Sequence, residues 1–97
     1  MKITVDKQVL FTALSRVQSV IPSRPSIAVL GHYLLEVSDG QLVITGTDLE
    51  QGVTVQVDVA VESEGVSTAP AKKLLNSVRY LRDGDVSLYN DGNMLVI

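Results

Sequence analysis

Apolar and polar positions change rhythm several times along the chain, and each change marks an element. Residues 1–5 (Met1-Lys2-Ile3-Thr4-Val5) alternate and carry β-branched side chains, which predicts a strand. Asp6 stands where a helix needs an N-cap, and a helix is expected over about 7–21. Within it Val9, Leu10, Ala13, Leu14, Val17, Val20 and Ile21 recur at helical spacing on one face. Lys7, Gln8, Thr12, Ser15, Arg16 and Ser19 fall on the other, and Phe11 sits off the apolar stripe. Pro22-Ser23-Arg24-Pro25 must end this helix, because prolines remove donors and push the preceding residue out of the helical region.

Residues 32–38 and 41–46 are apolar-rich runs joined at Asp39-Gly40, a strong hairpin signal. A strand over about 53–61 follows, with Val53, Val55, Val57, Val59 and Val61 alternating against Thr54, Gln56, Asp58 and Ala60. The order then begins again. A short strand at 66–69 leads to Pro70, suited to a first helical turn. The second helix is expected to run to about 82, with Ala71, Leu74, Leu75, Val78 and Leu81 on one face and Gly84 just past its end. Strands at 85–90 and 93–97 are joined by a turn at Asp91-Gly92.

Written as elements, the first half is strand-helix-strand-strand-strand, and the second half repeats it without its last strand. The expected class is α+β, with two helices on one face of antiparallel sheet and the second half truncated. Residues 1–97 are expected to be a single incomplete domain with an uncovered edge, and exposed edges pair or aggregate.

Composition narrows the function classes. The chain is 45% hydrophobic and 20% charged, which suits a folded domain rather than a disordered one. Without cysteine it has neither a disulfide framework nor a thiolate metal site. A lone histidine, His32, leaves zinc only unusual carboxylate ligands, and its place suggests a surface or turn residue. No apolar stretch approaches the ~20 residues of a membrane span, and no signal-peptide pattern opens the chain. A soluble, cytoplasmic protein without a cofactor is expected.

The net charge of −3 argues against nucleic acid until its distribution is considered. Lys7, Arg16, Lys72, Lys73, Arg79 and Arg82 fall in the spans 7–21 and 71–82, which hold no acidic residue and so carry +6. The remainder sets Lys2 and Arg24 against all eleven carboxylates, a net of −9. If both helices pack on one side, their outer faces form a basic surface for phosphates, filled in by Thr12, Ser15, Asn76 and Ser77. Ordinary solvated helix faces are the competing explanation. The absence of Glu, as good a helix former as Lys, weighs against it.

Several stretches carry a resemblance. Met1-Lys2-Ile3-Thr4-Val5 before an amphipathic helix is similar to the start of bacterial DNA sliding clamps, the β subunit of DNA polymerase III. So are Ser23-Arg24-Pro25, Val29-Leu30, Leu34-Leu35-Glu36-Val37, Thr45-Gly46-Thr47-Asp48-Leu49-Glu50 and Pro70-Ala71-Lys72-Lys73, in the family's order. The resemblance covers the whole chain. It implies a non-enzymatic processivity factor: three such domains per subunit and two subunits in a head-to-tail ring, with helices lining the hole. The partners implied are double-stranded DNA, a second subunit, and the polymerase core and clamp loader, the last two through domains outside these residues. Residue by residue, it implies DNA contact for Arg24, Lys72 and Arg79, with Arg16 and Lys73 as helpers. Lys73 has a second reading, toward the ring partner.

Two other classes fit the residues less well. Asp48 and Glu50, two apart after a strand, have a spacing that suits a divalent ion, but Thr47-Asp48 reads better as a turn or cap. No catalytic triad or Gly-rich phosphate loop is present. The rival to a clamp is a small interaction domain that pairs through exposed strand edges and never meets DNA.

Overall fold

A computed structural model describes residues 1–21, 31–47, 51–91 and 94–96. Arg24 with its flanking prolines, the Asp48-Leu49-Glu50 segment and Gly92 lie outside the described residues, so the expectations placed on them go no further here. The elements run β1 (Lys2–Asp6), α1 (Lys7–Gln18), β2 (His32–Ser38), β3 (Gln41–Thr47), β4 (Gly52–Asp58), β5 (Ala60–Ser63), β6 (Gly65–Pro70), α2 (Ala71–Arg79), β7 (Asp85–Asp91) and β8 (Met94–Val96). The strands divide between two antiparallel sheets, ordered β5-β1-β7-β8 and β4-β3-β2-β6.

The expected internal repeat takes a definite form. Each strand that precedes a helix joins the sheet built by the other half of the chain: β1 pairs with β7, and β6 pairs with β2. The registers correspond as well. Asp6, the N-cap of α1, lies opposite Asp85 at the start of β7, and Pro70, the N-cap of α2, lies opposite His32 at the start of β2. This exchange laces the halves together, so neither can bury its apolar face alone.

Three features differ from the sequence expectation, each for a physical reason. The valine run at 53–61 is two strands in different sheets. At Val59 the chain leaves β4, its N–H donating to the Gly40 carbonyl at 3.1 Å, and Ala60–Ser63 then pairs with β1. Alternation survives the switch because Val53, Val55, Val59 and Val61 all pack against one core. Next, α1 ends at Gln18 rather than 21. Val20 and Ile21 donate to Val17 and Gln18, three residues back, and this tighter turn keeps Ile21 buried. Finally, α2 ends at Arg79, where Tyr80 leaves helical geometry at φ −94°, ψ 2°.

The core is continuous. Ile3, Leu10, Leu14, Val17, Tyr33, Leu35, Leu42, Ile44, Val78 and Leu88 are fully buried within it. Two contacts seat α1 on the β4-β3-β2-β6 sheet. The Tyr33 hydroxyl donates to the Leu14 carbonyl at 2.9 Å inside the core, and this burial pushes its pKa up to about 12. A Cβ at Gly46 would stand 2.7 Å from Val17 Cγ1 and 3.0 Å from Ile21 Cγ1, so the bare backbone of β3 is what lets the helix approach. The β2–β3 turn carries positive φ at both Asp39 (53°) and Gly40 (75°), as a tight hairpin demands.

Candidate nucleic-acid interface

α1 and α2 pack against each other, placing two helices without a single carboxylate side by side. Arg16, Lys72, Lys73 and Arg79 are all exposed, as are Thr12, Asn76 and Ser77. Lys72 and Arg79 are seven residues apart, about two helical turns, and so share one flank of α2. That flank faces α1, because the Arg79 guanidinium lies over the Phe11 ring, 5.8 Å from its centroid. Lys73 sits about 100° further round, toward solvent.

Arg16 does not join this group. It lies about 140° round α1 from Phe11 and lines a groove of about 630 Å³ with Val9, Thr12, Ala13, Val55 and Val57, between α1 and the edge strand β4. The basic surface is therefore a seam of α2 cations with Arg16 on the far flank of α1. Arg24 falls outside the described residues, and Arg82 is exposed just past the end of α2.

The sequence missed several things here. Lys7, assigned to the polar face, is only 8% exposed, with its ammonium 5.5 Å from the Phe11 centroid. Phe11, which broke the apolar stripe, fills the seam between the helices and is partly buried against the core. Ser15 is a poorer phosphate donor than expected, since its hydroxyl is already given to the Phe11 carbonyl at 2.8 Å. At one end the seam meets a carboxylate: Gln8 Nε2 donates to Asp83 Oδ1 at 2.8 Å, beside a Lys7 N–H to Gly84 carbonyl bond of the same length. That pair of bonds closes the turn after α2 onto the start of α1. The place of Phe11 off the apolar stripe was the available signal for the seam.

The carboxylates lie mostly elsewhere. Glu36, Asp39, Asp58, Glu62 and Glu64 are exposed on strands and turns of the sheets. The single ion pair among the described residues, Lys2 to Glu62 at 3.3 Å, is half-exposed and adds little stability. Among the described residues no group of three His, Asp or Glu side chains is placed to hold a metal ion, and no helix is long and apolar enough to cross a membrane.

Two helices side by side over paired antiparallel sheets, with the basic residues gathered on the helices, define a DNA-clamp domain. Comparison with known proteins agrees at every level. The family model for the DNA polymerase III beta subunit, N-terminal domain, matches residues 1–97. The beta sliding clamp of Escherichia coli K12 is 34% identical over 99 aligned positions, covering all of this chain and 27% of that protein. That of Caulobacter vibrioides is 37% identical over 94 positions, covering 96% of this chain and 25% of that one. The solved structure of Caulobacter crescentus pol III beta superposes with a TM-score of 0.93 at 38% identity, over 98% of this chain and 26% of the other. A Helicobacter pylori beta clamp bound to a DNA ligase peptide gives 0.93 at 28% identity. The chain belongs to the DNA polymerase III beta subunit family, as its N-terminal domain. It spans about a quarter of the length of these relatives.

Proposed function

We propose that residues 1–97 supply part of the first domain of a sliding clamp, a non-catalytic cytoplasmic processivity factor. In the assembled form two subunits close into a ring around duplex DNA. The polymerase core and the clamp loader bind through domains outside these residues. Lys72 and Arg79 contact backbone phosphates from the α1-facing flank of α2, Lys73 and Arg16 assist from the neighbouring faces, and Arg24 contributes from the segment after α1. The observation that carries this reading is the segregation of charge. The helices hold five exposed or seam-facing cations and no carboxylate, while the sheets hold the acids. A surface so divided attracts DNA on one side and repels it on the other without reading bases. Sliding requires that kind of contact, since a base-specific bond would stop the ring.

Lys72→Glu combined with Arg79→Glu in the full chain tests it. Association with duplex DNA should weaken, and the slope of log affinity against log salt should flatten by about one per lost phosphate contact, so about two in all. An unchanged slope in a folded double variant overturns the DNA reading and leaves edge pairing as the function.

A further inference from the structure

Lys7 and Arg79 share one aromatic ring across the helix seam. Lys7 Nζ and Arg79 Cζ stand 5.5 and 5.8 Å from the Phe11 centroid, one from each helix. Lys7 is the buried charged residue among those described, and no carboxylate among them pairs with it or with Arg79. Taking an ammonium out of water is unfavourable unless something replaces its hydration, and a ring face replaces only part of it. Two like charges drawn to the same ring also repel each other. Both costs fall when an anion enters the seam. Leucine at this position would supply apolar volume but no ring face, so what the ring adds to packing is its attraction for cations.

We propose that Lys7, Phe11 and Arg79 form a phosphate seat at the α1–α2 seam. Phe11 is its positioning residue, and the two cations together take one backbone phosphate of bound nucleic acid. The seat rests on the DNA reading above and adds to it Phe11, which lies off the apolar stripe in the helical pattern, and Lys7, which that pattern places on the solvated face and the fold buries. Phe11 aims the Arg79 guanidinium across the seam, where a free arginine would sample many rotamers and lose more entropy on binding.

The experiment is a salt titration of the full chain against a fluorescently labelled duplex, read by anisotropy, for Phe11→Leu, Phe11→Tyr, Arg79→Gln and the Phe11→Leu/Arg79→Gln pair. Phe11→Leu should weaken binding about five-fold and reduce the salt slope by about one, while Phe11→Tyr, which keeps a ring face, retains both. The double variant should be weaker than Arg79→Gln alone by clearly less than Phe11→Leu weakens the unmodified chain, because the ring acts through that guanidinium as well as through Lys7. A normal slope for folded Phe11→Leu overturns the seat, as does additivity in the double variant. Equal loss in Phe11→Leu and Phe11→Tyr also overturns it, because that marks a packing role. Failure of the seat and failure of the DNA reading are distinguishable. If Lys72→Glu/Arg79→Glu weakens binding and Phe11→Leu does not, only the seat is wrong. If neither variant changes binding, the DNA reading fails with it.

Discussion

The two helices occupy equivalent places in the repeat, yet they divide the labour between stability and charge. α1 is twelve residues long, is capped by the Asp6 carboxylate, and packs against β1, β3, β4 and α2. α2 has nine residues and no side-chain cap, and packs mainly against α1 and β6. The buried stripes match in spacing, Leu10, Leu14 and Val17 against Leu74, Val78 and Leu81, although Leu81 is only half-buried. The outer faces do not match. α1 shows Gln8 and Thr12 where α2 shows Lys72 and Asn76. A helix held from several sides can spend its surface on neutral polar groups. The less tethered helix carries three of the five helical cations, Lys72, Lys73 and Arg79, and it borrows its position from the first through Phe11.

The comparison predicts unequal costs for truncating the two stripes. Leu14 is fully buried under α1, whereas Leu75 keeps a little exposure on α2. Leu14→Ala should destabilise the fold by about 3–5 kcal/mol and Leu75→Ala by about 2–3 kcal/mol, read from urea unfolding at constant m-value. Equal costs would mean that the helices are equally anchored, and the division of labour would have to be given up.

A smaller effect probes the anchor of α1 directly. Tyr33 holds the Leu14 carbonyl, and its pKa is raised from 10.0 to about 12 by burial. The unfolded chain therefore loses this proton near pH 10 while the folded chain keeps it to about 12. Stability contributed by the neutral phenol is complete below pH 10 and is lost as pH rises between those values, by about 2–3 kcal/mol in all. Tyr33→Phe should remove this alkaline loss at a cost of about 1 kcal/mol at neutral pH. An alkaline unfolding curve that is unchanged in Tyr33→Phe would show that the phenol is not the group responsible.

How much of this was legible depended on whether local rhythm and tertiary partner agreed. The β2–β3 hairpin was plain, because Asp39-Gly40 supplies the two positive φ angles and the flanking runs share one core. The division of valines between β4 and β5 was not, because side-chain alternation reports which face is buried and says nothing about which sheet receives the backbone. Gly46 stood out only as part of a resemblance. Its reason, the approach of Val17 and Ile21, lies in α1 and the turn that follows it, about twenty-five to thirty residues earlier. For the site, charge segregation was visible from helix periodicity alone, as was the shared flank of Lys72 and Arg79. The isolation of Arg16 and the burial of Lys7 were hidden, since both follow from what lies beside α1: β4 on one flank and α2 on the other.

The smallest expected effect lies at the caps. Asp6 and Pro70 have nearly the same backbone, φ −63°, ψ 136° against φ −58°, ψ 124°, and each opens a helix after a strand. The Asp6 carboxylate accepts from the Gln8 and Val9 N–H groups at 3.0 and 3.2 Å, while Pro70 has no side-chain acceptor for α2. Asp6→Ala should therefore cost about 1 kcal/mol, as loss of a side-chain cap usually does. Pro70→Ser places a capping oxygen where the backbone already suits one, which stabilises the first turn of α2 by up to about 1 kcal/mol. Replacing proline also frees the unfolded chain, which costs about 0.4–1 kcal/mol. These terms oppose each other, so the net change should stay within about 0.5 kcal/mol, and thermal unfolding of the two single variants measures both. A gain well above that range for Pro70→Ser would show that α2 is weak because it lacks a cap. A change near zero would instead mean that the rigid proline already does for α2 what the Asp6 carboxylate does for α1, with no acidic side chain placed at the edge of the basic seam.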